Sequence, residues 1–85
     1  MYSVILSKKA EKILDKLPNE YYKLITKHLL NLEQNPRPFG CIKLVDYENH
    51  YRIRIGVYRV VYSIKDDVLV VEVIKIDHRR NIYRR

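Results

Sequence analysis

The sequence predicts one α+β domain in which an N-terminal strand and a helical hairpin pack on a small antiparallel β-sheet. Two observations carry this. Between Ser7 and Leu32 the apolar residues recur twice at helical spacing, and from His50 to Ile76 they fall into segments rich in Tyr, Ile and Val. Between the two regions stands "NPRPFG", residues 35–40, with two prolines and a glycine that end any helix.

Taken in order, "YSVIL" alternates Tyr2, Val4 and Leu6 against Ser3 and Ile5, a short strand pattern. Ser7 can cap a helix running to about Leu17, because Ala10, Ile13, Leu14 and Leu17 fall at i, i+3, i+4 and i+7. "LPNE" interrupts it, and Pro18 or Asn19 opens a second helix. Tyr21, Leu24, Ile25, His28, Leu29 and Leu32 make its apolar stripe, whose spacing is that of core packing. After the proline loop, "IKLVD" has the composition of a short strand and "YEN" that of a turn. "HYRIRIGVYRVVY" reads as two strands joined at Gly56 and Val57. "KDD" is a further turn, and "VLVVEVIKI" a strand apolar on nearly both sides, as in a sheet centre. The expected order is β-α-α-β-β-β, one unit over residues 1–85 with no linker or repeat.

Eighty-five residues allow one modest core. The longest apolar run, Val68 to Val71, is too short for a membrane span, and Ser7, Lys8 and Lys9 break "MYSVIL" before a signal sequence forms. One cysteine, Cys41, excludes an internal disulfide framework and suits the cytoplasm. With three scattered histidines it also makes a structural zinc site improbable, so neither metal nor cofactor is expected. Seventeen Lys and Arg against ten Asp and Glu give +7, a balance that points to a polyanion or an acidic protein partner.

Strand alternation sends Tyr51, Ile53 and Ile55 to one face and Arg52 and Arg54 to the other, about 7 Å apart. Arg59 returns beside them on the next strand. Like charges on neighbouring strands are unfavourable. One reading is a solvated face whose arginines pair with Asp46, Glu48 or Glu72; the other is a phosphate-binding face, since guanidinium forks match phosphate oxygens. The chain then runs into "DHRRNIYRR", where His78 adjoins Arg79, Arg80 and Tyr83. A basic tail is one reading of it, although Ile82 and Tyr83 have little use in a frayed end.

Together these groups suit RNA scission by transesterification. That reaction needs the 2′-OH deprotonated, the phosphorane charge neutralised and the departing 5′-oxygen protonated. Arginine supplies the second need and is a poor base, because it stays protonated. His78 exchanges protons readily near neutrality, and Tyr83 can stack on a base.

"YRIRIGVYRVVYSI" followed by "VLVVEVIKIDHRRNIY", with "LPNE" and "NPRPFGCIKL" ahead, resembles the RelE/ParE superfamily of toxins from toxin–antitoxin modules over nearly the whole chain. The resemblance implies a metal-independent, ribosome-dependent endoribonuclease that cuts mRNA in the A site and blocks translation. Arg52 and Arg54 look like the strand residues that approach the scissile phosphate, Arg59 and Arg79 (or Arg80) like further contacts to it, and Tyr83 like the tyrosine that stacks on the substrate base. His78 matches a histidine acting as acid in several relatives, and Lys43 and Arg80 are expected to add substrate-binding charge. An acidic RelB-like antitoxin is implied as partner, in a toxin–antitoxin hetero-oligomer, together with the ribosome and its mRNA. Some relatives carry lysines where this chain has Arg52 and Arg54, and others a glutamate base where Ile42 falls, so the proton acceptor stays open. A ParE-like toxin that poisons DNA gyrase, or an inactive relative that binds only its antitoxin, are the competing expectations.

Overall fold

Each helix begins where the sequence supplies a start. In a computed structural model, which describes residues 1–78, strand β1 (Ser3–Leu6) runs directly into helix α1 (Lys8–Asp15). The Ser7 hydroxyl accepts from the Ala10 amide at 3.1 Å and donates to the Ile74 carbonyl at 2.9 Å. One side chain thus caps α1 and ties it to the last strand. Helix α1 stops at Asp15, two residues short of the expected Leu17, as Lys16 and Leu17 tighten into i→i−3 bonds. Helix α2 (Asn19–Asn31) follows Pro18, and both helices lie on one face of the sheet.

The remaining elements are β2 (Ile42–Lys43), β3 (His50–Ile55), β4 (Tyr58–Lys65) and β5 (Val70–His78), in the order β1-β5-β4-β3-β2. Four strands follow the helices, one more than the expected order counts, because the short "IKLVD" segment does pair, through Ile42 and Lys43. The meander is antiparallel as expected, but the sheet as a whole is mixed: β1 pairs in parallel with β5, Ser3 opposite Val70 to Leu6 opposite Val73. The meander leaves one edge of β5 open, and the strand ahead of α1 fills it.

Gly56, with φ +60°, and Val57 close the β3–β4 hairpin; positive φ at the first central position alone is the geometry of a II′ turn. The β4–β5 turn is longer than "KDD". Leu69 adopts φ +55° to close it, so β5 begins at Val70 and leaves Val68 and Leu69 exposed.

The core lies between helices and sheet: Ala10, Leu14, Ile25, Leu29 and Leu32 meet Tyr51, Ile53, Ile55, Val60, Tyr62, Ile64, Val71, Val73 and Ile76. Leu24 and His28 sit at the rim of the α2 stripe, and the His28 ring bonds back to the Leu24 carbonyl at 3.0 Å. Between Val61 and Tyr62 the β4–β5 register shifts, so that Tyr62 faces Val73 and Val61 faces Lys75 with Ile74 as the extra residue. The bulge exchanges the faces of β5: Val71 and Val73 are core before it, Ile76 after it. No helix among the described residues is long and apolar enough to cross a membrane.

One end of the domain is fastened by a polar cluster. Arg37 donates to both Asp66 carboxylate oxygens (2.8 and 3.4 Å) and to the Tyr51 hydroxyl (3.0 Å), and Tyr2 donates to Asp66 at 2.6 Å. The guanidinium and the Tyr2 hydroxyl hold the Asp66 carboxyl below its ordinary range. A depressed folded-state value means the contribution is complete above the unfolded value near 3.9 and disappears as pH falls through the folded one. Urea midpoints of wild type and Asp66→Asn should therefore differ near neutrality and converge as the pH is taken below the unfolded value near 3.9. Beside this cluster the buried Tyr62 hydroxyl donates to the Pro36 carbonyl at 2.9 Å, and burial pushes its pKa well up. Tyr62→Phe should lower stability by about 1–2 kcal/mol in denaturant unfolding, since it strands a buried carbonyl.

Candidate nucleic-acid interface

The hairpin register gathers the arginines. Arg54 lies directly opposite Arg59, and Arg52 opposite Val61, so all three point away from the helices. The turn residues Gly56 and Val57 fix this register, and the core residues on the alternate positions hold it. The three side chains, with Gly40 and Ile42, line a depression of about 220 Å³. Arg54 is exposed, Arg52 half-buried, and Arg59 only 6% exposed, at the floor.

A cation so far from water needs negative charge nearby. The bulge provides it, because it places Asp77 of β5 directly opposite Arg59 of β4. Lys75, on the same face, lies 3.6 Å from Asp77. Arg52 and Arg54 form no ion pair with Asp46, Glu48 or Glu72. Fixed guanidinium groups around a concave opening suit an anion with several oxygens, such as a phosphodiester.

The expected site residues are distributed unevenly. Arg52, Arg54 and Arg59 come together. Lys43 pairs with Tyr51 and so belongs to the opposite parity from Arg52; it stands on the exposed edge strand and lines a neighbouring depression of about 340 Å³ with Arg52 and Tyr47. His78 ends β5 opposite Tyr58, one residue from the strand position facing Arg59. Its ring meets the Tyr58 ring edge-on, centroids 5.4 Å apart, on the helix side of the sheet. The histidine expected beside the arginines therefore has its strand end there and its imidazole turned away, because the bulge gives that face to Asp77. Arg79, Arg80 and Tyr83 lie outside the described residues.

Sequence reasoning missed two occupants of the arginine face. Asp77 was hidden by the bulge, which nothing in the residue pattern announces. His50 was legible: it shares parity with Arg52 and Arg54, and it pairs with Ser63 at the near end of β3. Among the described residues no three His, Cys, Asp or Glu side chains gather to hold a metal ion.

Residues 4–83 match the family described as the ParE toxin of type II toxin–antitoxin system, parDE. Toxin RelG of Mycobacterium tuberculosis is 29% identical over 85 residues, which cover 99% of this chain and 98% of that protein. Among solved structures, the archaeal RelE–RelB complex from Pyrococcus horikoshii OT3 aligns with a TM-score of 0.83 and 34% identity, over 92% of this chain and 94% of its counterpart. The intact E. coli RelBE toxin–antitoxin complex aligns with a TM-score of 0.81 and 28% identity, over 92% and 96%. The α+β fold, the helical hairpin and the sheet order are thus those of RelE-type structures, and this chain belongs to the ParE toxin family of type II toxin–antitoxin modules, within the RelE/ParE superfamily.

Proposed function

We propose that this toxin is a ribosome-dependent endoribonuclease that cleaves mRNA in the A site, in the cytoplasm. The observation that carries the reading is the concave cluster of Arg52, Arg54 and Arg59. In that role the exposed Arg54 and the half-buried Arg52 take the phosphodiester, and the buried Arg59 balances charge as the phosphorane forms. A charge held in a low-dielectric floor acts most strongly where new charge develops. The 2′-oxygen bonds to phosphorus, the bond to the 5′-oxygen breaks, and the products are a 2′,3′-cyclic phosphate and a 5′-hydroxyl. Phosphate contact and base stacking are the roles that the resemblance gives Arg79, Arg80 and Tyr83, and acid is the role it gives His78.

An acidic antitoxin is the proposed partner, as RelB is for the relatives solved in complex. A cationic depression in a +7 chain suits an acidic segment that orders on binding and covers the arginines. Purified toxin added to programmed ribosomes should yield mRNA with 2′,3′-cyclic phosphate ends, and intact mRNA would end the reading. The ParE family match supports a second reading, inhibition of DNA gyrase. A supercoiling assay separates the two, since loss of supercoiling with mRNA intact would favour gyrase.

A further inference from the structure

We propose that His50 is the proton acceptor of this site, an assignment that rests on the endoribonuclease reading. Arginine cannot take the 2′-OH proton at neutral pH, and the structure turns the His78 ring to the helix side. His50 occupies the same face as the arginines, two strand residues and about 7 Å from Arg52. Its Nδ1 lies 2.7 Å from the Glu48 carbonyl oxygen. A carbonyl only accepts, so Nδ1 carries the proton and Nε2 of the neutral ring keeps its lone pair. The Tyr47 ring, centroid 5.5 Å away and tilted by 37°, steadies the imidazole. The ring is thus half-buried, oriented and in the tautomer of a base.

The surroundings join it to the arginines. His50 lines a depression of about 330 Å³ with Leu44, Tyr47, Val61, Ile74 and Lys75. Leu44 and Tyr47 also line the adjoining depression, and there Arg52 forms part of the wall. A continuous track therefore leads from His50 past Tyr47 to Arg52 and the phosphate cluster. The charged and titratable groups along this track are Lys43 on β2, Asp46 and Tyr47 from the β2–β3 loop, Arg52 on β3, and Lys75 on β5, with Glu48 beside the ring through its carbonyl. Glu72 stands beyond Ser63, the residue across from His50. Lys75 is drawn to Asp77, so its charge is directed along β5 and away from the imidazole.

In the step, His50 Nε2 takes the 2′-OH proton as the 2′-oxygen bonds to phosphorus and the 5′-oxygen departs. The 5′-oxygen gains a proton from the acid of the site, the part proposed above for His78, and both rings return to their starting states by exchange with solvent. No oxidant or further reactant enters.

Single-turnover cleavage of mRNA on programmed ribosomes, followed against pH, tests this with wild type, His50→Ala and His50→Gln. Circular dichroism monitors folding of both variants. Expected is an acidic limb in the wild-type profile, a loss of about 10²-fold or more in both variants, disappearance of that limb, and partial rescue of His50→Ala by added imidazole. Variants that keep the rate within about threefold would overturn the assignment, since a general base contributes far more. So would a slower variant that keeps the acidic limb and ignores imidazole, which marks a packing role only. Wild-type toxin that leaves mRNA intact removes the endoribonuclease reading first, and the assignment falls with it.

Discussion

Arg59→Ala is expected to lower the maximal rate of mRNA cleavage by about 10²–10³-fold, the usual consequence of removing one group that stabilises developing charge. The side chain is 6% exposed at the floor of the arginine depression, where water cannot replace it. Binding to the programmed ribosome should change much less, because Arg52 and Arg54 stay at the rim and the wider surface remains basic. Single-turnover rates at saturating toxin separate the two effects: a fall in rate at constant affinity fits a group that acts as the phosphorane forms, whereas lost affinity at constant rate would contradict it. Arg59→Lys should recover part of the rate, since it restores a charge without the fork. Thermal unfolding should be measured for both, because Asp77 loses the cation opposite it in Arg59→Ala and regains one in Arg59→Lys.

Ile25→Ala is expected to be the most damaging simple truncation on α2. Ile25 has no exposed surface and faces the sheet from the middle of the helix. Shortening it removes buried methylenes and opens a cavity, at a cost of about 2–5 kcal/mol. In a domain of this size that lowers the unfolding midpoint by about 8 °C or more in calorimetry. Leu24→Ala, one position away at the rim and 37% exposed, should cost much less. Equal losses at the two positions would mean that α2 packs otherwise than its burial pattern says.

Much of this could be read from residues. The Ser7 cap, the Pro18 start, the Gly56–Val57 hairpin and the convergence of Arg52, Arg54 and Arg59 follow from capping, spacing and a period of two. The parallel pairing of β1 could not be, because a strand pattern declares which residues alternate and not which edge stays open. The bulge at Ile74 was equally hidden. It alone decides that Asp77, and not His78, shares a face with Arg59, since one inserted residue reverses every side chain after it. His50 is open to the same parity argument that places the arginines, although its basic neighbours lie across the sheet, whereas those of His78 adjoin it in the sequence.

The parallel β1–β5 pair has a further consequence for how the toxin comes into being. The serine after the first strand bonds to Ile74, 67 residues onward, and Tyr2 bonds to Asp66, 64 residues onward. The strand that precedes both helices thus has its partners beyond both of them and beyond the β3–β4 hairpin. Contacts of such long sequence separation close late, since the intervening chain must first be ordered. The helical hairpin and the β3–β4 hairpin can form locally, whereas the sheet that backs the arginine depression is complete only when β5 is in place. The depression, whose floor residue Arg59 faces Asp77 on β5, is therefore among the last features of the fold to take shape, and a partner has its surface to cover only once that long-range pairing has closed.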